Sequence, residues 1–177
     1  MKKIFSLIKE KYKIITLSGV NYARYKGVKV GDNCRILITS FGSEPWLISM
    51  GDKVTITSGV KLLTHDGSTW LFNDEKGRRY LYRRVKIGNN VFIGSNSIIM
   101  PGVVIDNNVI VAAGSVVTKS VPTNSIVAGN PAKIIGNYSS YGEKILETYI
   151  SDSDLNKSKN YKERILDVLD NESKPYL

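Results

Sequence analysis

The chain is expected to fold as an all-β domain, a parallel β-helix of hexapeptide repeats with short N- and C-terminal helices. Three observations lead there. A period of six runs through residues 87–122. One column of that period is filled by turn-forming residues. The same period recurs upstream, in a register that breaks twice.

In sixes, residues 87–122 read IGNNVF, IGSNSI, IMPGVV, IDNNVI, VAAGSV, VTKSVP. The first column is Ile87, Ile93, Ile99, Ile105, Val111 and Val117. The fifth is Val91, Ser97, Val103, Val109, Ser115 and Val121. A fifth residue and the next first residue are two apart, so on an extended strand they face the same way. One is large and aliphatic and the other small or β-branched, and together they fill a narrow interior. The fourth column is Asn90, Asn96, Gly102, Asn108, Gly114 and Ser120. Asn and Gly accept positive φ most readily, so this column is read as a turn. An ordinary sheet of alternating strands does not explain turn residues that return every six positions; a β-helix coil does.

Upstream, Met50–Thr55, Ile56–Lys61 and Leu62–His65 share one register, and Val30–Arg35 followed by Ile36 is an earlier piece. Cys34 falls in the inward fifth column and is read as core. Ile36 and Met50 are 14 apart, two more than two repeats. Leu62 and Ile87 are 25 apart, one more than four repeats. The segment 67–84 is charged and aperiodic, so it is an excursion from the coil. Insertions in repeat arrays are where function concentrates.

Three regions follow: an N-terminal helical segment 1–27, the β-helix 28–136, and a helical tail 137–177. Residues 2–13 place Ile4, Phe5, Leu7 and Ile8 among lysines, an amphipathic helix expected to dock on the domain, with a membrane surface as the alternative. Residues 138–150 and 159–170 read as helices, joined by the polar linker Ser151–Lys159.

The 177 residues, 42% hydrophobic and 23% charged, suit one domain with terminal appendages. No apolar run approaches the roughly 18 residues of a spanning helix, and no signal-peptide pattern appears. A single cysteine excludes an intrachain disulfide and multi-cysteine metal sites. A single histidine, His65, excludes sites that need several histidines from one chain, a three-histidine zinc centre among them, so no metal is expected. A reducing, cytoplasmic setting is expected. The net charge of +9 is uneven: +7 over residues 1–35, +4 over 71–86 and −2 over 138–177. Without a helix-turn-helix, RNP or zinc pattern, that charge does not indicate nucleic acid. It fits anionic lipid at the inner membrane face, or a phosphorylated substrate.

The hexapeptide columns, followed by V117-T-K-S-V-P122 and A128-G-N-P-A-K133, resemble the hexapeptide-repeat acyltransferases. The resemblance covers about residues 28–136. It lies nearest the maltose and galactoside O-acetyltransferases and the capsule or O-antigen polysaccharide acetyltransferases, the latter through F41-G-S-E-P-W-L47 and T64-H-D-G67. It implies a left-handed β-helix, where general crossover rules favour the other hand. It also implies acetyl-CoA as acyl donor, a sugar hydroxyl as acceptor, and a homotrimer with each site between two subunits.

Acetyl transfer from a thioester to an alcohol needs a base, because the alcohol is a poor nucleophile until its proton has somewhere to go. Imidazole suits that task, and His65 is the sole imidazole. Its other nitrogen needs an orienting partner; Asp66 and Glu44 are the acidic candidates, and either could instead hold the acceptor sugar. The resemblance implies the Ser95 N–H as oxyanion donor and places pantetheine past Ala113. It also puts Thr118 and Lys119 on the lower half of the coenzyme and Lys133 near its phosphates. Two positions depart from the family pattern. Phe92 stands where a tryptophan is common, and Gly136 where a basic residue is common. Trp46, Trp70, Phe92, Tyr80 and Tyr82 are candidates for sugar stacking, the loop aromatics equally for subunit contacts. Competing readings are N-acetylation of a nucleotide amino sugar, acetylation of an antibiotic, and a structural β-helix with no activity.

Overall fold

The computed structural model describes residues 2–170. It contains two compact units, one ending at Tyr138 and one beginning at Ser139. The first unit opens with helices α1 (Lys2–Thr16) and α2 (Gly19–Lys26). Short strands β1 (Lys29–Val30), β2 (Arg35–Ile36), β3 (Ile48–Met50), β4 (Thr55–Ile56) and β5 (Lys61–Leu62) follow. An excursion then carries β6 (Asn73–Asp74) and β7 (Gly77–Arg78). The coil resumes with β8 (Val85–Ile87), β9 (Val91–Ile93), β10 (Ile98–Ile99), β11 (Val104–Ile105), β12 (Val109–Val111) and β13 (Val116–Val117). β14 (Ser125–Gly129) and β15 (Ala132–Asn137) close it.

The strands stack into three parallel faces. The first is β1-β3-β8-β11, the second β2-β4-β9-β12-β14 with β15 antiparallel at its edge, and the third β5-β10-β13. The coils β3-β4-β5, β8-β9-β10 and β11-β12-β13 each visit all three, so Ile87 pairs with Ile105, Ile93 with Val111 and Ile99 with Val117. All twelve residues of the first and fifth columns over 87–122 are buried. The two serines of the fifth column, Ser97 and Ser115, each donate to the Ala112 carbonyl, so their hydroxyls are paired inside the prism.

The turn column behaves as its composition predicts at five of six positions: Asn90, Asn96, Gly102, Asn108 and Gly114 have positive φ. Ser120 does not. Its hydroxyl accepts from the Val104 N–H at 3.0 Å, a bond between successive coils. One corner carries a side-chain ladder: the Asp32 N–H donates to Asp52, Asp52 N–H to Asn89, and Asn89 N–H to Asn107. Cys34 is half-buried against the core. Ile105 is fully buried in mid-column. Ile105→Ala is expected to cost about 2–5 kcal/mol, because the repeat lattice relaxes little around a missing side chain; chemical denaturation measures it.

Both register breaks have structural reasons. Met50 pairs with Ile87 and Leu62 with Ile99, so the coil takes one ordinary step across the break and the rest is excursion. Its base is closed by the Asp66 N–H donating to the Leu81 carbonyl and the Arg83 N–H to the Thr64 carbonyl. Within it lie a 3₁₀ turn (Gly67–Leu71) and the β6–β7 hairpin, which the aperiodic sequence did not announce. The two extra residues between Ile36 and Met50 occupy a loop with the 3₁₀ turn Pro45–Leu47, anchored by buried Phe41 and Pro45.

α1 does dock on the first unit, but through its polar side. Glu10 accepts from Tyr22 at 2.5 Å and from Lys26 at 2.9 Å, while Ile4, Phe5 and Ile8 stay exposed. The expectation that the apolar face docks is corrected: Tyr22 and Lys26 of α2 bond to Glu10, on the other side of the helix. The Leu7 side chain lies outside the described residues.

The second unit holds α3, which begins at Tyr138 and runs to Thr148, and α4 (Tyr161–Asp167). The Asn160 side chain caps α4 by accepting from the Glu163 N–H. The last part of the expected tail, 171–177, lies outside the described residues.

Candidate active site

The third face ends in an outgoing turn, and His65 sits there, just past β5. An isolated bridge ties His65 to Tyr82 across the base of the excursion. The residue before it, Thr64, is buried. The Glu44 loop lies one coil below, so both register breaks meet at this turn.

His65 Nδ1 is 2.8 Å from Glu44 Oε2, and the Thr64 hydroxyl donates to the same oxygen at 2.7 Å. Burial pushes the Glu44 carboxyl up, but the bonds from Thr64 and His65 outweigh it and hold it below the usual value. Glu44 is therefore ionised near neutral pH and can only accept. In the neutral imidazole the proton then sits on Nδ1, and Nε2 keeps its lone pair. The Glu44 side chain is 14% exposed and the imidazole 43% exposed, so the anchor is sheltered while the ring meets solvent.

Asp66 does not orient His65. It accepts from the Ser68 N–H at 2.9 Å and the Ser68 hydroxyl at 2.7 Å, capping the 3₁₀ turn that opens the excursion. The Ser68 bonds hold its carboxyl below the ordinary value. The expected role of orienting His65 is thus corrected to a capping one, because the carboxylate is engaged by Ser68.

A cleft of about 380 Å³ opens beside His65. Leu63, Leu81, Met100, Pro101 and Thr118 line it along with His65, and Asp66 forms part of its rim. Thr118 follows β13, two coils above His65 on the same corner. Lys119 is exposed beside it and helps line a second, smaller hollow with Ala132. Ser95 and Ala113 sit elsewhere, on the turns that lead into the third face. These turns stack closely: a Cβ on Gly94 would meet the Ala113 nitrogen at 2.4 Å. Lys133 lies exposed on β15, paired with Ala128. One chain therefore places His65 and Thr118 at one edge of the third face and Ser95 and Ala113 at the other.

The aromatic candidates separate too. Trp46 is exposed, two residues from Glu44. Trp70 belongs to a ladder of rings. The Arg78 guanidinium lies 4.8 Å from Trp70 and 4.7 Å from Tyr80, Tyr80 stacks on Tyr82 at 6.1 Å, and Tyr82 meets His65 edge-on at 6.2 Å. Phe92 lies on the outer side of the second face, between Thr55 and Ile110, away from this cleft. Its strand points Phe92 out of a different face from the one that carries His65. Sequence reading passed over Thr64 and Arg78. An inward Thr before the sole histidine, and an Arg between aromatics in the excursion, were the available signals. No cluster of metal-ligating residues exists among the described residues. No described helix is long and apolar enough to cross a membrane.

The family model for bacterial transferase hexapeptide (six repeats) matches residues 84–119. Protein CapG of Staphylococcus aureus is 53% identical over 82% of this chain and 84% of its own length. The galactoside O-acetyltransferase of Escherichia coli is 31% identical over 76% of this chain and 68% of its own. Among solved structures, a galactoside acetyltransferase in complex with coenzyme A superposes with a TM-score of 0.50 at 27% identity, covering 71% of this chain and 61% of that one. A hexapeptide-repeat acetyltransferase from Vibrio cholerae gives 0.53 at 28% identity, covering 64% of each. This chain thus spans under two thirds of both solved chains. On the repeat, the fold and these likenesses, the chain belongs to the hexapeptide-repeat acetyltransferases, left-handed parallel β-helix enzymes that draw their acetyl group from acetyl-CoA.

Proposed function

We propose that this protein transfers acetyl directly from acetyl-CoA to a sugar hydroxyl of a surface polysaccharide or its precursor, with His65 as general base. The Glu44–His65 bond of 2.8 Å carries this reading, since it fixes the tautomer that leaves Nε2 able to take a proton. Nε2 removes the hydroxyl proton as the sugar oxygen bonds to the thioester carbonyl carbon. The carbonyl electron pair moves onto oxygen, and the Ser95 N–H stabilises that oxyanion. The oxyanion collapses, the carbon–sulfur bond breaks, and the leaving thiolate takes the proton from His65, which returns to its neutral form. The products are the acetyl ester and coenzyme A.

The coenzyme arm runs past Ala113, whose small side chain lets it lie close. Thr118, Lys119 and Lys133 hold its lower half and phosphates. Lys119→Ala and Lys133→Ala are each expected to raise KM for acetyl-CoA about tenfold through loss of an ammonium–phosphate contact, with kcat nearly unchanged. Initial rates against acetyl-CoA concentration measure this.

His65 and Ser95 lie at opposite edges of one face, which supports a homotrimer in which the outgoing turn of one subunit meets the incoming turn of its neighbour. Phe92 then belongs to the neighbour's wall. The Trp70–Arg78–Tyr80–Tyr82 ladder leading to His65 supports an acceptor platform, since aromatic faces match the apolar faces of sugars. Trp46 borders the same turn. The site of action is the cytoplasm, where acetyl-CoA is supplied.

The test is thiol release from acetyl-CoA over free sugars, nucleotide amino sugars and lipid-linked oligosaccharides, with the bond identified in the product. An alkali-labile ester on a sugar hydroxyl is expected. An alkali-stable amide on an amino sugar would replace this reading with N-acetylation. Release with no acceptor class, together with no coenzyme A binding, would leave a structural β-helix.

A further inference from the structure

The outer side of α1 is unusual for a soluble helix. Ile4, Ile8, Tyr12 and Ile15, spaced by four, four and three residues, share one side, and Phe5 lies beside them. At about 100° per residue they fill an arc of roughly 100°. All five are exposed, Phe5 at 75% and Ile15 at 82%. Glu10 lies on the opposite side, held by Tyr22 and Lys26. Burial and the Glu10 bond push the Tyr22 phenol up, while the bonds from Tyr22 and Lys26 hold the Glu10 carboxyl down, so the tie is a phenol and an ammonium on a carboxylate. Leu17, just past the helix, packs against the core. The helix is thus fixed with its apolar arc facing outward.

The charges around the arc indicate what covers it. Lys11 borders one side and Lys9 the other, both exposed. The only acid of α1 is Glu10, which is engaged inward. A second copy packed arc to arc would bring lysine rows together with no free carboxylate from either helix between them. An anionic lipid surface accepts the arc among its acyl chains and the lysines among its headgroups.

We propose that α1 is a membrane-surface helix that seats the enzyme on an anionic bilayer, arc down and Glu10 side up. This goes beyond the acetyl-transfer reading and does not depend on it. The apolar arc supplies insertion and the lysines supply preference for anionic headgroups.

The experiment is co-sedimentation of the full chain with vesicles of phosphatidylglycerol and phosphatidylcholine in equal parts, and with phosphatidylcholine alone. Binding is expected to the mixed vesicles and to weaken as salt rises. The double variant Ile8→Asp, Ile15→Asp is expected to lower partitioning by about tenfold or more. Lys9→Gln with Lys11→Gln is expected to lower it about 30-fold on the mixed vesicles and to leave phosphatidylcholine binding unchanged. Both pairs are exposed, so far-UV circular dichroism, oligomer mass and transfer to a soluble acceptor should match wild type. Absence of binding to the mixed vesicles at low salt would overturn the proposal. So would equal binding by all three proteins. A change in oligomer mass in the isoleucine variant would assign the arc to a subunit contact instead.

Discussion

His65→Ala is expected to lower acetyl transfer by about 10²-fold or more, the loss that follows removal of a positioned general base. The effect should fall on kcat, with KM for acetyl-CoA little altered, because the coenzyme contacts proposed at Ala113, Thr118, Lys119 and Lys133 remain. The histidine is 43% exposed and outside the core, so the variant should fold normally. Residual activity should rise steeply with pH, as hydroxide does part of the work of the missing base. Initial rates over a pH series separate this from a folding defect.

Glu44→Gln is the second large effect, and it tests the tautomer argument. The amide keeps the size of the carboxylate but can turn an N–H toward His65 Nδ1. The imidazole then carries its proton on Nε2, where the acceptor hydroxyl needs a lone pair. A fall in kcat of about 10² is expected, again with KM for acetyl-CoA little changed. Glu44→Asp should recover part of the loss, since a shorter carboxylate still accepts only. A role confined to packing predicts the reverse, with glutamine tolerated better than aspartate.

The same carboxylate links the site to stability. The folded protein holds Glu44 below its ordinary value of 4.5. Its contribution is therefore complete above that value and lost as pH falls through the lower, folded value. The difference in unfolding midpoint between wild type and Glu44→Gln should narrow as the medium is acidified through the carboxylate range. Thermal unfolding at a series of pH values checks the direction.

The repeat made most of the fold legible. Ile87 through Val117 recur at a fixed interval because each must fill the same slot of one prism, and Asn90 or Gly102 recur because each must turn the same corner. Ser120 broke the pattern, and its hydroxyl bonds across coils to the Val104 N–H, a contact that the column composition does not encode. The site was legible in part. His65 stood out by being alone and by ending a run of repeats. Its partner was one of two acidic candidates that sequence left undecided, because Glu44 reaches it through stacking of coils and not through adjacency; Asp66 is adjacent but spends its bonds on Ser68. The two-residue surplus before Met50 was the available signal, since it gives that coil the extra loop that meets His65. The side of α1 that docks was hidden for a similar reason. Glu10 is one acid in a lysine-rich helix, and only Tyr22 and Lys26, folded onto it, show which side faces inward.

Single-turnover mixing distinguishes direct transfer, with His65 as base, from transfer through an acetylated enzyme. Enzyme in excess of acetyl-CoA is mixed with and without the acceptor found in the panel, while thiol release and the intact mass of the protein are followed together. Direct transfer gives thiol release only when acceptor is present, slowed about 10²-fold or more in His65→Ala, with no acetylated protein at any time. Thiol release without acceptor, matched by a protein heavier by one acetyl group, would contradict it, as would His65→Ala turning over at the wild-type rate.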